Sequence, residues 1–425
     1  MQFSLLNNKE IKNASWLIGG KIVQMILSLI VSILSARLLG PGNYGLVNYG
    51  IAFANFFMSI CTLGINSVII KDFVDNPEEK GTALGTSIVL RMLSSGLSII
   101  IIILTSFFLD RDFLTVSVVA ICSLSLFFHA FDTINYYFQS LYQSKITSLA
   151  TLIAYVVTSI YKIILLVVGA DIRLFALATS IDYIVIAIFL LITYKAKKGP
   201  PLKFSLKKGF FLLKNSYHYI LSGAMVSIYG QVDKLMLKGM INEKAVGFYS
   251  IATSVNLMWV FVLSAIIDSM YPTILQLYNM DKEAFKRKNR QLYAIVFYLS
   301  IFVSIIFTFF GKYAILILYG KEYLPSVTPL SIVTWYTAFS YLGVARNAWI
   351  VCENKQKYLK YMYLVAVFLN VFLNSVMIPK WGVSGAALAS LITQIFTSLI
   401  IPAIIPQMRP NTKLMVDAIL FKNIK

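Results

Sequence analysis

Charged residues are scarce in this 425-residue chain: they make up 13% of it, whereas hydrophobic residues make up 58%. Soluble proteins carry about 25% charged residues. The shortage excludes a soluble multidomain protein and a disordered one, since neither class combines so little charge with so much apolar sequence. Because the apolar residues stand in long runs, the sequence predicts an all-α polytopic membrane protein.

Cysteine and histidine are also few. The three cysteines, Cys61, Cys122 and Cys352, form no CxxC pair and lie in or beside apolar runs, so the sequence suggests neither a disulfide framework nor a zinc site. The chain contains no HExxH, P-loop or GxSxG motif. We therefore expect no catalytic residue, no metal and no cofactor.

Twelve apolar segments are long enough to cross a bilayer as helices, which takes roughly 20 residues each. The predicted spans are 14–36, 45–66, 83–109, 113–138, 147–169, 173–194, 215–237, 245–271, 291–311, 328–350, 359–379 and 383–405. The first is too long and too polar in its flanks for a cleaved signal peptide, so we expect it to be retained.

The excess of 37 basic over 18 acidic residues, a net charge of +19, is explained mainly by topology. With the N-terminus in the cytoplasm, inside segments hold roughly three times as many lysines and arginines as outside segments. This bias predicts cytoplasmic termini, some attraction to anionic membrane lipid, and no nucleic-acid partner. The plasma membrane is the expected location.

The basic segment 195–214, with seven lysines and Pro200-Pro201, divides the chain almost in half. A shift of 202 residues aligns the first two spans of both halves without a gap. We predict a six-helix bundle over 1–194, a cytoplasmic linker over 195–214, and a second bundle with a cytoplasmic tail over 215–425. Two pseudo-symmetric bundles around a central cavity are typical of alternating-access transport.

Ionisable residues inside spans are costly unless they face a polar cavity or a partner, so they are candidate functional groups. Serine, threonine and glycine in the same spans are better explained by helix packing. The candidate substrate cations, five within spans and one at the mouth of the first, are Lys21, Arg37, Arg91, Lys162, Lys234 and Arg346. Lysine and arginine favour an anionic cargo group such as phosphate.

The candidate ion-coupling residues are His129, Asp132, Asp182, Asp233 and Asp268. We favour Asp182, and Asp132 with His129, because they lie deepest. A structural His129–Asp132 bond and a structural Asp182–Lys162 pair are equally good readings. Asp268 lies near the end of its span, where a simple contact with lipid headgroups is the better explanation.

Three blocks resemble bacterial polysaccharide repeat-unit flippases of the O-antigen and capsule type, within the multidrug/oligosaccharidyl-lipid/polysaccharide exporter superfamily. They are ARLLGPGNYGLVNY (36–49), DKLMLKGMINEKAVGFYSIA (233–252) and NSVMIPKWGVSGAALASLI (374–392). Gly40-Pro41-Gly42 predicts a tight outer turn. We interpret the motif residues as mostly architectural, with Arg37 as the exception.

The resemblance implies a flippase that moves an undecaprenyl-diphosphate-linked oligosaccharide from the inner to the outer leaflet. Because the sequence has no nucleotide-binding motif, we expect a proton or sodium gradient or the membrane potential to drive transport. Other polysaccharide assembly proteins are candidate partners. Two alternatives stay open: a multidrug or small-metabolite antiporter of the same superfamily, and a non-transporting membrane enzyme of envelope glycan assembly. The cationic excess argues against the first, and the short outer loops against the second.

Overall fold

The computed structural model describes residues 8–110 and 112–422, except for the side chains of residues 8–18, 21, 22 and 67. The described residues form helices and turns without a β-strand. The α-helices are α1 Asn8–Thr62, α2 Asn66–Asp75, α3 Lys80–Leu109, α4 Phe113–Ser123, α5 Ser125–His129, α6 Thr133–Ser140, α7 Ser144–Val168, α8 Ile172–Ala196, α9 Leu206–Met240, α10 Glu243–Met280, α11 Lys282–Leu318, α12 Val327–Ala345, α13 Asn347–Cys352, α14 Leu359–Ile395, α15 Ile401–Ile404 and α16 Arg409–Ile419.

Each of the twelve predicted spans falls on one of these helices or on consecutive ones. Within the described residues, eight helical segments are long and apolar enough to cross a membrane. Two of them, Val23–Thr62 and Gln356–Ile404, each overlap two predicted spans. Each contains a break at a glycine, and the chain is helical on both sides of it. The prediction of an all-α polytopic membrane protein is confirmed.

Glycine makes the breaks inside the two longest segments. Gly40 has φ 69° and ψ 170° inside α1, and Gly382 has φ 57° and ψ −132° inside α14. Both conformations lie in the region where a side chain is strained, so a glycine is favoured at each. Pro41 follows Gly40 directly, so this break lies at the predicted Gly40-Pro41-Gly42 turn.

The chain forms two compact units that divide between Gln231 and Val232, inside α9. In the N-terminal unit a core forms where α2, α3, α6, α7 and α8 meet, and Phe73, Leu84, Phe138 and Leu190 are fully buried there. Their aromatic and aliphatic side chains come from sequence-distant helices. Burial of these side chains therefore fixes the helix packing in the unit.

The C-terminal unit has its own core. Leu263 of α10, Tyr293 of α11 and Leu342 of α12 are fully buried, and Met415 of α16 packs into the same cluster. The α16 helix lies after the last predicted span. Its buried face ties the tail to α11, because Asn411 donates a hydrogen bond of 2.6 Å to the Tyr293 hydroxyl.

The basic segment 195–214 contains an extended strap, residues 199–205, between α8 and α9. The strap lies against the first turns of α3, where Lys203 N donates to the Gly81 carbonyl at 3.3 Å. A Cβ at Gly81 or Gly85 would stand 2.4 or 2.5 Å from the carbonyl oxygens of Pro201 and Lys203. The absence of side chains at these two glycines is what admits the strap.

Candidate functional site

Arg91 of α3 is the centre of a buried polar cluster in the N-terminal unit, with 1% of its surface exposed. Its Nη2 lies 2.8 Å from His129 Nδ1 and 3.1 Å from the His129 carbonyl oxygen. Its Nη1 donates to Thr133 Oγ1 at 2.8 Å and to Asn66 Oδ1 at 3.4 Å. A guanidinium can only donate, so His129 Nδ1 accepts and the imidazole is neutral with its proton on Nε2.

The irregular helix of span four creates this arrangement. The segment passes from α5 through a 3-10 turn, Ala130–Asp132, into α6. Such a turn inside a helix alters the local hydrogen-bond ladder and often marks a functional hinge. The carbonyl of His129 accepts from Arg91 at this point, so the arginine supports the irregular turn from a neighbouring helix.

Asp132 and Tyr183 complete the cluster. Asp132 accepts a hydrogen bond from Asn135, one turn ahead on α6, and not from His129. The Tyr183 ring of α8 lies edge-on to the His129 ring, with centroids 4.9 Å apart. The structure thus brings together Arg91, His129 and Asp132, with the histidine bonded to the arginine.

Lys162 of α7 and Asp182 of α8 are half-buried neighbours that attract each other electrostatically. No ion pair within 4 Å joins them among the described residues. Asp182 Oδ1 is buried without a hydrogen-bond partner. The pair is therefore close enough to interact and too far apart to neutralise each other by direct contact.

Asp233 of α9 is the centre of a second cluster, in the C-terminal unit, with 6% of its surface exposed. Its Oδ2 accepts from the Tyr249 hydroxyl at 2.5 Å and from Ser390 Oγ at 2.6 Å. Its Oδ1 accepts from Asn374 Nδ2 at 2.7 Å, and that same amide donates to Asn370 Oδ1 at 3.0 Å. Asn370 Nδ2 in turn donates to Ser390 Oγ at 3.3 Å, which completes a ring of hydrogen bonds.

All the partners of Asp233 are neutral. Among the described residues no lysine or arginine forms an ion pair with it. A buried carboxylate without a cationic partner is costly even when it is hydrogen-bonded. Asn374 Oδ1 is also buried without a partner, so the cluster offers oxygen atoms that a proton or a small cation could use.

The break at Gly382 explains how one helix supplies two of these partners. Asn374 lies eight residues before the break and Ser390 eight residues after it. Gly385 admits the close return of the chain, since a Cβ there would stand 2.1 Å from the Met377 carbonyl oxygen. The turn therefore presents both side chains to the same carboxylate.

The sequence analysis named Asp233 as a candidate but not its hydrogen-bond partners. Asp233 and Tyr249 belong to the block 233–252, and Asn374 and Ser390 belong to the block 374–392, so two blocks interpreted as architectural meet at one buried acid. The signal that could have found the site is the set of polar residues at the ends of both blocks. Their proximity, however, depends on packing between sequence-distant helices.

Within the described residues, the remaining candidates form none of the hydrogen bonds of the two clusters. Arg346 is 5% exposed and donates from Nη1 to the Thr397 carbonyl at 3.3 Å. Lys234 is half-buried, whereas Arg37 and Asp268 are exposed. The side chain of Lys21 lies outside the described residues. Within the described ranges no three histidine, cysteine, aspartate or glutamate side chains gather as they do around a metal ion.

Comparison with known proteins identifies the family. Residues 11–278 match the family described as polysaccharide biosynthesis protein, which is more than half of the chain. The capsular polysaccharide biosynthesis protein CapF of Staphylococcus aureus is 23% identical over 407 residues, covering 92% of this chain and 97% of CapF.

Solved structures show the fold. The inward closed conformation of the lipid II flippase MurJ superposes with a TM-score of 0.71 at 17% identity, over 94% of this chain and 90% of MurJ. An inward-facing multidrug resistance transporter of the MATE family, in the MOP superfamily, gives a TM-score of 0.66 at 13% identity, over 93% and 96% of the two chains.

The family match and the two folds agree with the resemblance carried by the three sequence blocks, and that prediction is confirmed. The protein is a multi-pass membrane protein with the fold of these two structures. Its chain belongs to the polysaccharide biosynthesis protein family.

Proposed function

We propose that this protein flips an undecaprenyl-diphosphate-linked oligosaccharide from the inner to the outer leaflet of the plasma membrane, for capsule or O-antigen synthesis. The observation that carries the proposal is the family match over 11–278 together with the nearly full-length similarity to a capsular polysaccharide biosynthesis protein. The glycan and diphosphate are hydrophilic and need a polar route, whereas the lipid tail can stay in the bilayer.

Alternating access between two six-helix halves is the proposed mechanism, with both termini in the cytoplasm. The bias of lysine and arginine toward the inside segments supports this orientation. The protein has no ATP-binding P-loop in its sequence, so we propose that an ion gradient or the membrane potential drives net movement. It acts as a secondary transporter and not as an enzyme.

The candidate cations divide into two groups by their surroundings. Arg91 and Arg346 are buried and donate to groups of their own units, so we propose that they position helices. Lys21, Arg37, Lys162 and Lys234 are the cations we propose for attraction of the diphosphate. For the three lysines of this set, a flexible point charge suits transient attraction, because it releases phosphate more readily than a bidentate guanidinium does.

Asp233 is our proposed site of ion coupling, in preference to Asp182 and to Asp132 with His129. Its burial, its neutral partners and the unpartnered Asn374 oxygen support binding of a proton or sodium ion. Binding of either cation would neutralise a charge that is costly inside the membrane. The same change would alter the contacts that join α9, α10 and α14 through Asp233.

Reconstitution into vesicles tests the function directly. Vesicles carry a fluorescent undecaprenyl-diphosphate oligosaccharide, and a membrane-impermeant quencher reports which leaflet holds it. We expect the protein to make the inner pool accessible, and protein-free vesicles to keep it protected. Transport of cationic drugs without movement of the lipid would instead identify a multidrug antiporter, and failure of both would contradict a transport function.

A further inference from the structure

A pocket of about 650 Å³ opens in the C-terminal unit between α11, α13 and α16. Its floor is apolar, because Phe285, Trp349 and Leu414 line it and are buried. It lies where α11 begins, and none of its lining residues belongs to the Asp233 cluster. On the proposed topology this end of the unit faces the cytoplasm.

The rim of the pocket is predominantly basic. Its cations are Lys282, Lys286, Arg290, Lys355 and Lys413, and its acids are Glu283, Glu353 and Asp417. Glu283 already forms an ion pair within its own helix, since Lys286 Nζ lies 2.7 Å from its carboxylate. Lys282 Nζ stands over the Tyr278 ring, 3.1 Å from its centre.

Three cations of the rim stay without a carboxylate partner. In the part of the chain that the structure describes, no acid lies within 4 Å of the charged groups of Arg290, Lys355 or Lys413. Arg290 is half-buried, and its Nε is fully buried without a hydrogen-bond partner. A buried donor left unpaired costs stability.

We infer that this pocket binds a phosphate group, held by Arg290 together with Lys413 and Lys355. Three cations line this one concave site, Arg290 on α11, Lys413 on α16 and Lys355 in the loop after α13, and they match the charge and the oxygen acceptors of phosphate. The phosphate belongs either to an anionic lipid headgroup or to a soluble phosphate ester. Glu353 and Asp417 also line the pocket, but the cations of the rim outnumber its acids, which favours an anionic ligand.

We expect the purified, full-length protein to bind a phosphate-bearing probe, measured by thermal shift and calorimetry at constant ionic strength. One arm titrates inorganic pyrophosphate, and the other compares nanodiscs of phosphatidylglycerol with nanodiscs of phosphatidylcholine. Arg290→Gln and Lys413→Gln should each weaken binding about tenfold, the loss of roughly one charge-assisted contact. Arg287→Gln, on an exposed residue of the same helix that does not line the pocket, is the matched control.

Stabilisation by pyrophosphate that Arg290→Gln weakens would support a soluble ligand. Stabilisation by phosphatidylglycerol alone, again weakened by Arg290→Gln, would support a lipid headgroup. The inference is overturned if neither probe stabilises the wild type, or if Arg287→Gln weakens binding as much as Arg290→Gln does. Lys413 is exposed on α16, so Lys413→Gln keeps the test decisive should Arg290→Gln fail to fold.

Discussion

Lys208 of α9 forms a buried ion pair with Asp72 of α2, in which its Nζ lies 2.8 Å from Asp72 Oδ1. The side chains of the lysine and the aspartate are 9% and 3% exposed. The same ammonium lies 2.8 Å from Glu79 Oε2, on the surface. One lysine of the basic segment 195–214 is thus fixed to α2 and to Glu79, the residue before α3.

Replacing Lys208 with methionine should strongly destabilise the N-terminal unit, because Asp72 would remain buried without its cation. Removal of one partner of a buried pair costs about 3–5 kcal/mol. Thermal unfolding in detergent measures the loss. Lys207→Met, on an exposed neighbour, should have little effect, and the double variant Lys208→Met with Asp72→Leu should recover much of the stability. Equal losses for Lys207→Met and Lys208→Met would contradict the pairing.

The ion pair should also give a pH dependence at the alkaline end. Burial lowers the pKa of the Lys208 ammonium, but hydrogen bonds and attraction from Asp72 and Glu79 outweigh it and raise the pKa above 10.5. A raised pKa means that the stabilisation is complete below the unfolded pKa and is lost as pH rises through the folded one. The stability difference between wild type and Lys208→Met should therefore be constant near neutrality and shrink above pH 10.5. A difference that shrinks between pH 6 and 9 would point to another group.

Gly85→Ala should destabilise the protein by displacing the strap, since the new Cβ would stand 2.5 Å from the Lys203 carbonyl oxygen. Gly96→Ala is the matched control, because it lies on the same helix and its Cβ would meet nothing within 4 Å. That control should stabilise α3 by about 0.5–1 kcal/mol through reduced backbone entropy. Protease accessibility of the strap, read beside thermal unfolding, shows whether it has detached. Identical behaviour of the two variants would count against a docked strap.

Arg91→Lys separates a positioning role from a substrate-binding role. Lysine keeps the positive charge but lacks the planar fork that reaches His129 and Thr133 together. We expect it to destabilise the unit by about 2–4 kcal/mol, because several buried acceptors lose their donor. Lipid flipping at a permissive temperature should be reduced as much as in Arg91→Gln. Full activity and stability of Arg91→Lys, with loss in Arg91→Gln, would show that charge alone matters.

Asp233→Asn should uncouple transport from its driving ion, because it removes the charge that a cation would neutralise and keeps the size of the side chain. The stimulation of flipping is measured in vesicles with an imposed sodium gradient or an imposed pH step. The gradient that accelerates the wild type should not accelerate Asp233→Asn, whereas Asp268→Asn, on an exposed acid of α10, should respond normally. Loss of the response in Asp182→Asn, with a normal response in Asp233→Asn, would return the coupling role to the N-terminal unit.

The positions of the membrane helices were predictable from local sequence. A bilayer imposes a minimum length and apolarity on every span, so 147–169 and 173–194 can be read along the chain without knowledge of their neighbours. The turn at Gly40-Pro41 was predictable for a similar reason, since its backbone conformation depends on the residues at the turn itself.

The partners of the buried charges depended on tertiary structure. The sequence identified Arg91, His129 and Asp132 as costly residues, but it offered His129–Asp132 as one pairing where the fold bonds His129 to Arg91. The Asp233 partners Asn374 and Ser390 are more than 140 residues away, and they reach it only because α14 turns back at Gly382. Local sequence thus determined which residues enter the membrane, because transfer from water depends on each segment alone. Helix packing decided which groups form hydrogen bonds with each buried charge, because hydrogen bonds depend on positions set by the whole fold.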